Sequence, residues 1–316
     1  MKNKLLYIVS MSLILMLAAC STEETSSDKL TVAVSIAPQE SFVKAVAGDL
    51  VDVVTLIPAG ASPTNYQPSP KEMTSFQKAQ VYFTIGVPSE VSNILPNIAD
   101  NNENIDIIYL DDIVAQSYPS RYFDDEETHA DHDEDADHDE DANHDEDADH
   151  DHDHQGRDPH IWLSPKRVIV MVNEIEKELS LLDPDNKEIY MNNASAFIEE
   201  LKKLDEDLTS TIGELENKTF VIMHPSLGYF ADDYGMKMIA LEQDGKESSA
   251  SHLQEVIEYS LENEIKVVFY QTEFDSSQAK TLASEIDGEV LAIDTLSGDY
   301  MTNMYGILKL FVEVLN

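Results

Sequence analysis

Histidines and carboxylates are concentrated in one stretch of this chain of 316 residues. A six-residue repeat of the form Asp-His-Asp-Glu-Asp-Ala runs from 131 to 154, and seven of the ten histidines lie in or beside it: His129, His132, His138, His144, His150, His152 and His154. Imidazole nitrogens and carboxylate oxygens are the ligands that borderline divalent metals prefer, zinc above all. We therefore expect residues 124–155, called the strap below, to collect cations.

The strap is not expected to fold by itself. Alanine is the only apolar residue of its repeat, so burial cannot offset the conformational entropy lost on ordering. A solvated, low-complexity spacer without metal is the alternative interpretation. An ordered metal site must in either case lie elsewhere in the chain.

Three residues outside the strap could form that site. In open parallel sheets, ligands bind beyond the carboxyl ends of the strands. His224 and Asp294 each follow a predicted strand directly, and His160 lies in a loop where Asp158 could orient its imidazole. Each of the three alone also fits an ordinary role, a hydrogen-bonded interior histidine or an aspartate that caps a helix. Together, beside the strap, they favour one shared metal site, with His252 as an outside candidate.

From residue 29 onward, short apolar runs alternate with helical patterns, which is typical of α/β architecture. Strands are predicted at 30–35, 51–57, 81–85, 105–110, 220–223, 236–241, 265–269 and 289–293. Helices are predicted at 39–47, 70–78, 89–98, 250–263, 276–286 and 301–315. The expected fold is two parallel-sheet α/β lobes bridged by one long rigid helix, with the metal site at the lobe interface.

Two helices are predicted between the lobes. Ser164 and Pro165 predict an N-cap and first turn for the first, and Asp183-Pro184 for the second. From Tyr190 to Leu215 the apolar residues of the second follow steps of four and three, so about 32 residues would make a rod on the order of 48 Å long. This stripe favours packing in the core over a coiled-coil dimer.

The formal net charge is −42, from 62 Asp and Glu against 20 Lys and Arg. Residues 124–154 hold 13 Asp and 5 Glu and no Lys or Arg, so the strap contributes 18 of these charges. Such a surface repels nucleic acid and attracts cations, so we expect no nucleic-acid partner.

The N-terminal residues predict export. Lys2 and Lys4 precede a mostly apolar run that is too short to span a bilayer, and Leu-Ala-Ala-Cys follows at 17–20. This pattern is similar to a lipobox, which predicts a signal peptide at 1–19, a lipid on Cys20 and a tether at 20–29; a signal that stays uncleaved is the alternative. Cys20 is the only cysteine, so neither a disulfide nor a thiolate metal site is expected.

Several motifs together resemble the zinc/manganese solute-binding lipoproteins of ABC importers. They are Pro-Ala-Gly-Ala-Ser-Pro at 58–63, Ile-Gly-Val-Pro at 85–88, Asp-Pro-His-Ile-Trp-Leu at 158–163, Met-His-Pro at 223–225, Gly-Tyr-Phe at 228–230 and Gly-Lys-Glu at 245–247. An acidic, histidine-rich insert before Asp-Pro-His resembles the zinc-type branch. The resemblance implies an N-terminal lobe at 30–165, a helical region with the linking helix at 166–217 and a C-terminal lobe at 218–316.

The resemblance also implies a ligand set, in which His160 and His224 match two of the family's ligand positions and Asp294 the acidic fourth. This chain departs from the family at the remaining position. Thr64, followed by Asn65, stands where the family has a histidine after Ala-Ser-Pro. The open position would be filled by water, by Asn65 or by a histidine of the strap, with water preferred because it requires no ordering of the chain.

The expected function is that of a monomeric, lipid-anchored, non-enzymatic binding protein on the outer face of the cytoplasmic membrane. It would capture Zn²⁺ and deliver it to an ABC permease. Binding requires neutral imidazole, so capture should weaken as the pH falls through the histidine range. The alternatives are a Mn²⁺-binding protein of the same type, a surface zinc buffer or adhesin, and, more remotely, a zinc hydrolase.

The departure at position 64 provides a test. Thr64→His would restore an imidazole at the position where a hydroxyl is a poor zinc ligand, so we expect the variant to bind zinc more tightly in a competition titration. An unchanged affinity would mean that the open position of the site lies elsewhere.

Overall fold

The computed structural model describes residues 29–98, 102, 104–123, 156–242 and 248–316. The predicted signal peptide, Cys20, nearly all of the tether, the strap with its seven histidines and the Gly-Lys-Glu motif lie outside the described residues. In the described part of the chain, none of the helices combines the length and apolarity that a membrane span requires.

The first half of the chain forms a four-stranded parallel sheet in the order β2-β1-β3-β4. Its strands are β1 (Leu30–Val34), β2 (Val51–Thr55), β3 (Val81–Thr84) and β4 (Asp106–Tyr109). Its helices are α1 (Ala37–Ala47), α2 (Pro70–Phe76) and α3 (Leu110–Ala115). All four residues of β3 are buried, which agrees with a strand in the interior of a sheet that helices cover on both faces.

The second half repeats this arrangement, with a four-stranded parallel sheet in the order β6-β5-β7-β8. Its strands are β5 (Thr219–Ile222), β6 (Lys237–Ala240), β7 (Val267–Tyr270) and β8 (Glu289–Ala292). Between the sheets lie α4 (Pro165–Leu182) and α5 (Lys187–Gly213), and the second sheet is accompanied by α6 (Gly228–Tyr234), α7 (Ala250–Glu262), α8 (Ser277–Glu285) and α9 (Tyr300–Leu315). The predicted two-lobe α/β fold is confirmed.

The long helix α5 is where the two lobes share a core. Its stripe of apolar side chains is buried: Tyr190, Ala194, Phe197, Leu201, Leu204, Leu208 and Ile212. It packs against α1 from the first half and against α9 from the second, as well as along α4. The prediction of core packing is therefore confirmed. The helix has 27 residues, or about 40 Å, because Pro184–Asn186 form a separate 3-10 turn before it.

Some local predictions are wrong. The segment predicted as a helix at 89–98 is a π turn at Glu90–Ile94 followed by a 3-10 turn at Leu95–Asn97, because Pro96 lacks the N–H that a regular helix requires. Ser164 precedes α4, but its hydroxyl donates to Asp233 at 2.5 Å instead of capping the helix. The short helices α3 and α6 were not predicted, since six or seven residues are too few for a helical period to be evident.

A buried carboxylate ties together the ends of β1 and β3. Glu90 is fully buried and accepts hydrogen bonds from Tyr82 Oη at 2.9 Å, from the backbone N–H of Val87 at 2.9 Å, and from Ser35 Oγ. The neighbouring Ser89 donates its hydroxyl to the carbonyl of Pro63 at 2.6 Å. The network therefore holds the segment that leads into Thr64 against the carboxyl edge of the first sheet.

Protonation of Glu90 should change the stability of the fold. Burial raises its pKa from 4.5 to about 7, although hydrogen bonds from Tyr82 and Ile85 act in the opposite direction. The folded state then holds this proton more tightly than the unfolded chain does. The proton on Glu90 thus adds about 3 kcal/mol to the free energy of unfolding. This stabilisation is fully present below about pH 4.5 and is lost as the pH rises to about 7.

Between pH 4.5 and 7 we therefore expect the free energy of unfolding of the wild type to fall by about 3 kcal/mol relative to that of Glu90→Gln, which has no titrating group at this position. Urea unfolding of the metal-free protein across this range measures it. Glu200→Gln, at an exposed position of α5, removes the same charge and reports the effect of net charge alone. If the wild type and Glu90→Gln lose stability in parallel, Glu90 does not titrate in this way.

Candidate metal centre

Two histidines from different parts of the chain meet between the sheets. His160 lies in the loop before the 3-10 turn Ile161–Leu163, and His224 follows β5. Their Nε2 atoms are 3.3 Å apart, and the two rings meet edge to face with their centroids separated by 5.1 Å. Both residues are buried, with exposed fractions of 8% and 6%. The two predicted histidines are thus brought together.

Each of the two imidazoles is oriented by a carboxylate on its other nitrogen. Asp158 Oδ1 lies 2.7 Å from Nδ1 of His160, and Glu242 Oε2 lies 2.6 Å from Nδ1 of His224. A carboxylate oxygen accepts hydrogen bonds, so both Nδ1 atoms carry protons and act as donors. In neutral imidazoles, this leaves the Nε2 atoms unprotonated, and their lone pairs point towards one another.

Two lone pairs at this distance repel one another unless a cation lies between them. Tetrahedral zinc with Zn–N bonds of about 2.0–2.1 Å separates two nitrogen ligands by about 3.3 Å. The observed Nε2–Nε2 distance of 3.3 Å agrees with this value. The arrangement of carboxylate, imidazole and metal is the usual way in which proteins fix the tautomer of a zinc-binding histidine.

The surroundings of His224 keep its imidazole neutral. Burial lowers its pKa from 6.5, the nearby His160 lowers it further, and the hydrogen bond to Glu242 opposes both. A neutral imidazole is the form that binds a metal. At neutral pH, His224 therefore does not have to lose a proton before it can act as a ligand.

Packed side chains hold the pair in place. The ring of Phe274 stacks on His224, with a centroid distance of 4.1 Å and an interplanar angle of 13°. The buried Gln271 donates to the carbonyl of His224 at 3.0 Å. On the other side, Trp162 lies 5.1 Å from the ring of His160 and donates its Nε1–H to Thr295 at 2.8 Å. The histidine loop is thus bound to the segment that follows β8.

Asp294, the predicted acidic ligand, lies on that segment but makes its contacts elsewhere. Its Oδ1 accepts from the backbone N–H of Leu296 at 2.9 Å, its carbonyl accepts from Asn303 at 2.8 Å, and the residue is exposed. Since β8 is two strands from β5, the strand ends are about 10 Å apart. In the described residues, no three His, Cys, Asp or Glu side chains are grouped to hold a metal.

The other candidate ligands, Thr64, Asn65 and His252, make fewer contacts. Thr64 is half-buried and its backbone N–H donates to Ser62 Oγ at 3.2 Å, while Asn65 is exposed. His252 lies on α7 and its Nε2 donates to the carbonyl of Ala240 at 3.0 Å. Its place on α7 agrees with the helix predicted at 250–263, and its hydrogen bond is made to a backbone carbonyl and not to the histidine pair.

The sequence analysis missed two acidic residues, one that contacts His224 and one that is a further candidate ligand. Glu242 follows β6 after one residue, so the rule that selected His224 and Asp294 could also have selected it. Glu273 follows β7, and its Oε2 is buried with no hydrogen-bond partner in the described part of the chain. Since β7 pairs directly with β5, Glu273 is nearer to His224 along the sheet edge than Asp294 is.

The hydrogen bond from His224 to Glu242 gives a prediction for the metal centre. Glu242→Gln keeps the shape of the side chain, but its amide can turn an N–H towards Nδ1 of His224. The tautomer of His224 is then no longer fixed. Loss of such an orienting group weakens metal binding by about 10- to 100-fold, and we expect a loss in this range in a zinc competition titration. Glu255→Gln, on the exposed face of α7, is the control, and equal affinities of the two variants would contradict the assigned role of Glu242.

The chain is similar in sequence to two proteins that are named for zinc binding and zinc uptake. Zinc-binding lipoprotein AdcA of Streptococcus pneumoniae is 32% identical over 273 residues, which are 86% of this chain and 51% of AdcA, so the chain spans about half the length of that relative. The high-affinity zinc uptake system protein ZnuA of Bacillus subtilis is 31% identical over 301 residues, which are 90% of this chain and 86% of that protein.

Solved structures show the same fold. A crystal structure of ZnuA superposes with a TM-score of 0.77 at 30% identity, over 92% of this chain and all of that one. A zinc-bound deletion mutant of ZnuA superposes with a TM-score of 0.76 at 30% identity, over 92% of this chain and 99% of that one. The sequence profile of the ZnuA family matches residues 32–314. This chain therefore belongs to the ZnuA family, described as the zinc-uptake complex component A, periplasmic.

Proposed function

We propose that this protein captures Zn²⁺ outside the cytoplasm and delivers it to the permease of an ABC importer. The observation that carries the proposal is the pair of Nε2 atoms 3.3 Å apart, each on an imidazole whose Nδ1 is bonded to a carboxylate. This arrangement is built for a cation that accepts nitrogen ligands. The named activities of the AdcA and ZnuA relatives support zinc as the cargo.

Binding rather than catalysis fits the carboxylates of the site. A zinc hydrolase needs a general base beside the metal-bound water. Asp158 and Glu242 are both bonded to Nδ1 atoms, so each is committed to orienting a ligand. The proposal is therefore a non-enzymatic binding protein.

Zinc is preferred over manganese because both oriented ligands are imidazoles. Manganese favours oxygen-rich coordination, whereas zinc accepts two nitrogens and completes a tetrahedron with a carboxylate or water. The proposed ligands are His160 and His224, with Asp294 as the acidic ligand carried over from the family. In our proposal, water takes the position beside Thr64 and Asn65.

The remaining parts of the proposal concern location and delivery. The lipobox-like segment supports an exported protein anchored through a lipid on Cys20, and the strap histidines would concentrate zinc near the site. A single chain holds both halves of the site, which supports a monomer as the working form. A surface zinc buffer or adhesin is the competing function. A deletion strain that grows normally in chelated medium, in a background without a second importer, would favour that function.

The proposal predicts that His160→Ala and His224→Ala each weaken zinc binding by at least about 100-fold, because a two-point chelate becomes a single imidazole. Metal content by mass spectrometry and competition titration measure this in the strap-deleted protein, so that strap histidines do not obscure the result. His252→Ala is the matched control, since that histidine bonds a backbone carbonyl outside the pair. Zinc affinity retained in both variants would contradict the proposed site.

The same titration identifies the acidic ligand. If Asp294 moves onto the ion, Asp294→Asn weakens binding while Glu273→Gln does not. The reverse result would assign the ligand to Glu273, whose Oε2 is already buried and unpaired in the described structure. X-ray absorption of the zinc-loaded protein would count the nitrogen and oxygen ligands independently.

A further inference from the structure

The two chain segments that flank the strap are paired with each other. Tyr122 and Arg157 form an antiparallel bridge, and the backbone N–H of Phe123 donates to the carbonyl of Gly156 at 2.7 Å. One step further from the strap, the N–H of Asp158 donates to the carbonyl of Arg121 at 2.9 Å. Residues 121–123 and 156–158 thus form a short ladder, and the His160 loop begins where this ladder ends.

The chain has only three arginines, and all of them surround this loop: Arg121, Arg157 and Arg167. Arg157 pairs with Asp111 at 3.0 Å and with Asp112 at 2.7 Å. Arg167 pairs with Asp233 at 3.3 Å. Two of the three arginines are therefore paired with carboxylates other than Asp158.

Arg121 differs from the other two because it contacts the carboxylate that orients His160. Its Nε lies 3.3 Å from Asp158 Oδ2, an ion pair without the alignment of a hydrogen bond. Its Nη1 donates to both carboxylate oxygens of Asp232, on α6 of the second half, at 3.1 and 2.9 Å. The Arg121 side chain is 29% exposed, whereas that of Asp158 is completely buried.

The two carboxylate oxygens of Asp158 contact different residues. Oδ1 accepts from the backbone N–H of His160 at 3.0 Å and from its Nδ1 at 2.7 Å, and Oδ2 faces Arg121. Each oxygen of this buried carboxylate therefore has its own partner, the His160 donors on one side and the Arg121 guanidinium on the other. The contacts therefore run without interruption from α6 through Arg121 and Asp158 to His160.

Tyr229 and Gly228 show that α6 is shaped to receive Arg121. The hydroxyl of Tyr229 accepts from the backbone N–H of Arg121 and donates to the carbonyl of Asp158, both at 2.9 Å. A Cβ atom at Gly228 would lie 2.2 Å from Nε of Arg121 and 2.7 Å from Oδ2 of Asp158. The glycine therefore leaves the space in which the ion pair lies.

We infer that Arg121 is a positioning residue of the metal centre, which fixes the Asp158 carboxylate and, through it, the ring orientation and tautomer of His160. The inference rests on the proposed function, because His160 is there a ligand of the ion. Arg121 also lies on the rung of the ladder that is farther from the strap, where its carbonyl accepts from the N–H of Asp158.

The test compares Arg121→Met with Arg157→Met in the full-length protein and, so that zinc bound by the strap histidines is not counted, in the strap-deleted protein as well. Both variants replace an arginine of the ladder region by a neutral side chain of similar length, but only the first touches Asp158. We expect Arg121→Met to weaken zinc binding by about 10-fold, the lower end of the effect of losing an orienting group, and Arg157→Met to change it much less. Arg121→Lys should recover part of the loss, because an ammonium can pair with Asp158 but lacks the fork that reaches Asp232.

A second readout does not require metal. The ¹⁵N spectrum of the His160 imidazole in the metal-free protein reports which nitrogen carries the proton, and we expect Arg121→Met to lose the single Nδ1–H form while Arg157→Met keeps it. Gly228→Ala should reproduce the change, since its Cβ displaces Arg121 although alanine favours the helix.

The outcomes separate the two proposals. If the wild-type protein binds no zinc, the proposed function is wrong, and so is the part of the inference that concerns zinc affinity. A zinc-binding wild type whose affinity and His160 spectrum are unchanged by both Arg121→Met and Gly228→Ala overturns the inference alone. If Arg121→Met does not fold, Arg121→Lys and Gly228→Ala decide the question with the same two readouts.

Discussion

Each imidazole of the His160–His224 pair is held by a carboxylate on the nitrogen that faces away from the other ring. These two hydrogen bonds decide which nitrogen of each ring is free, and they direct two lone pairs to one point. Without them the rings could rotate or exchange tautomers, and the nitrogen separation of 3.3 Å would not be maintained. The rest of the structure can be understood as the support that keeps these two bonds in place.

That support comes from both halves of the molecule. His224 is positioned by β5 and by the stacked ring of Phe274, so its orientation depends on the second sheet. His160 is positioned by the Asp158 loop, which is bonded to α6 through Tyr229 and to the segment after β8 through Trp162. The interface between the halves is therefore dense with contacts that fix side chains, and α5 adds an apolar core that both halves share.

Much of the fold followed from local patterns. All eight strands lie where continuous apolar runs predicted them, and the stripe along α5 predicted a buried helix, because burial on both faces of a sheet or along one face of a helix leaves a period in the sequence. The predictions failed where the local pattern was short or interrupted, as at Pro96, or where a tertiary partner captured a side chain, as Asp233 did with Ser164. The candidate site was predicted in part: the rule for strand ends located His224 but could not distinguish Asp294, which has local partners, from Glu242.

The sequence by itself determined the chemical inventory. It placed one histidine directly after a predicted strand and a second in a loop beside an acidic, histidine-rich segment, and it left a threonine at 64. Only the tertiary structure decided which carboxylate orients which imidazole, and that all three arginines surround one loop. The reason is physical: strand periodicity records which face is buried, whereas a contact between residues far apart in the chain, such as Arg121 with Asp232, depends on how two independently formed sheets pack together.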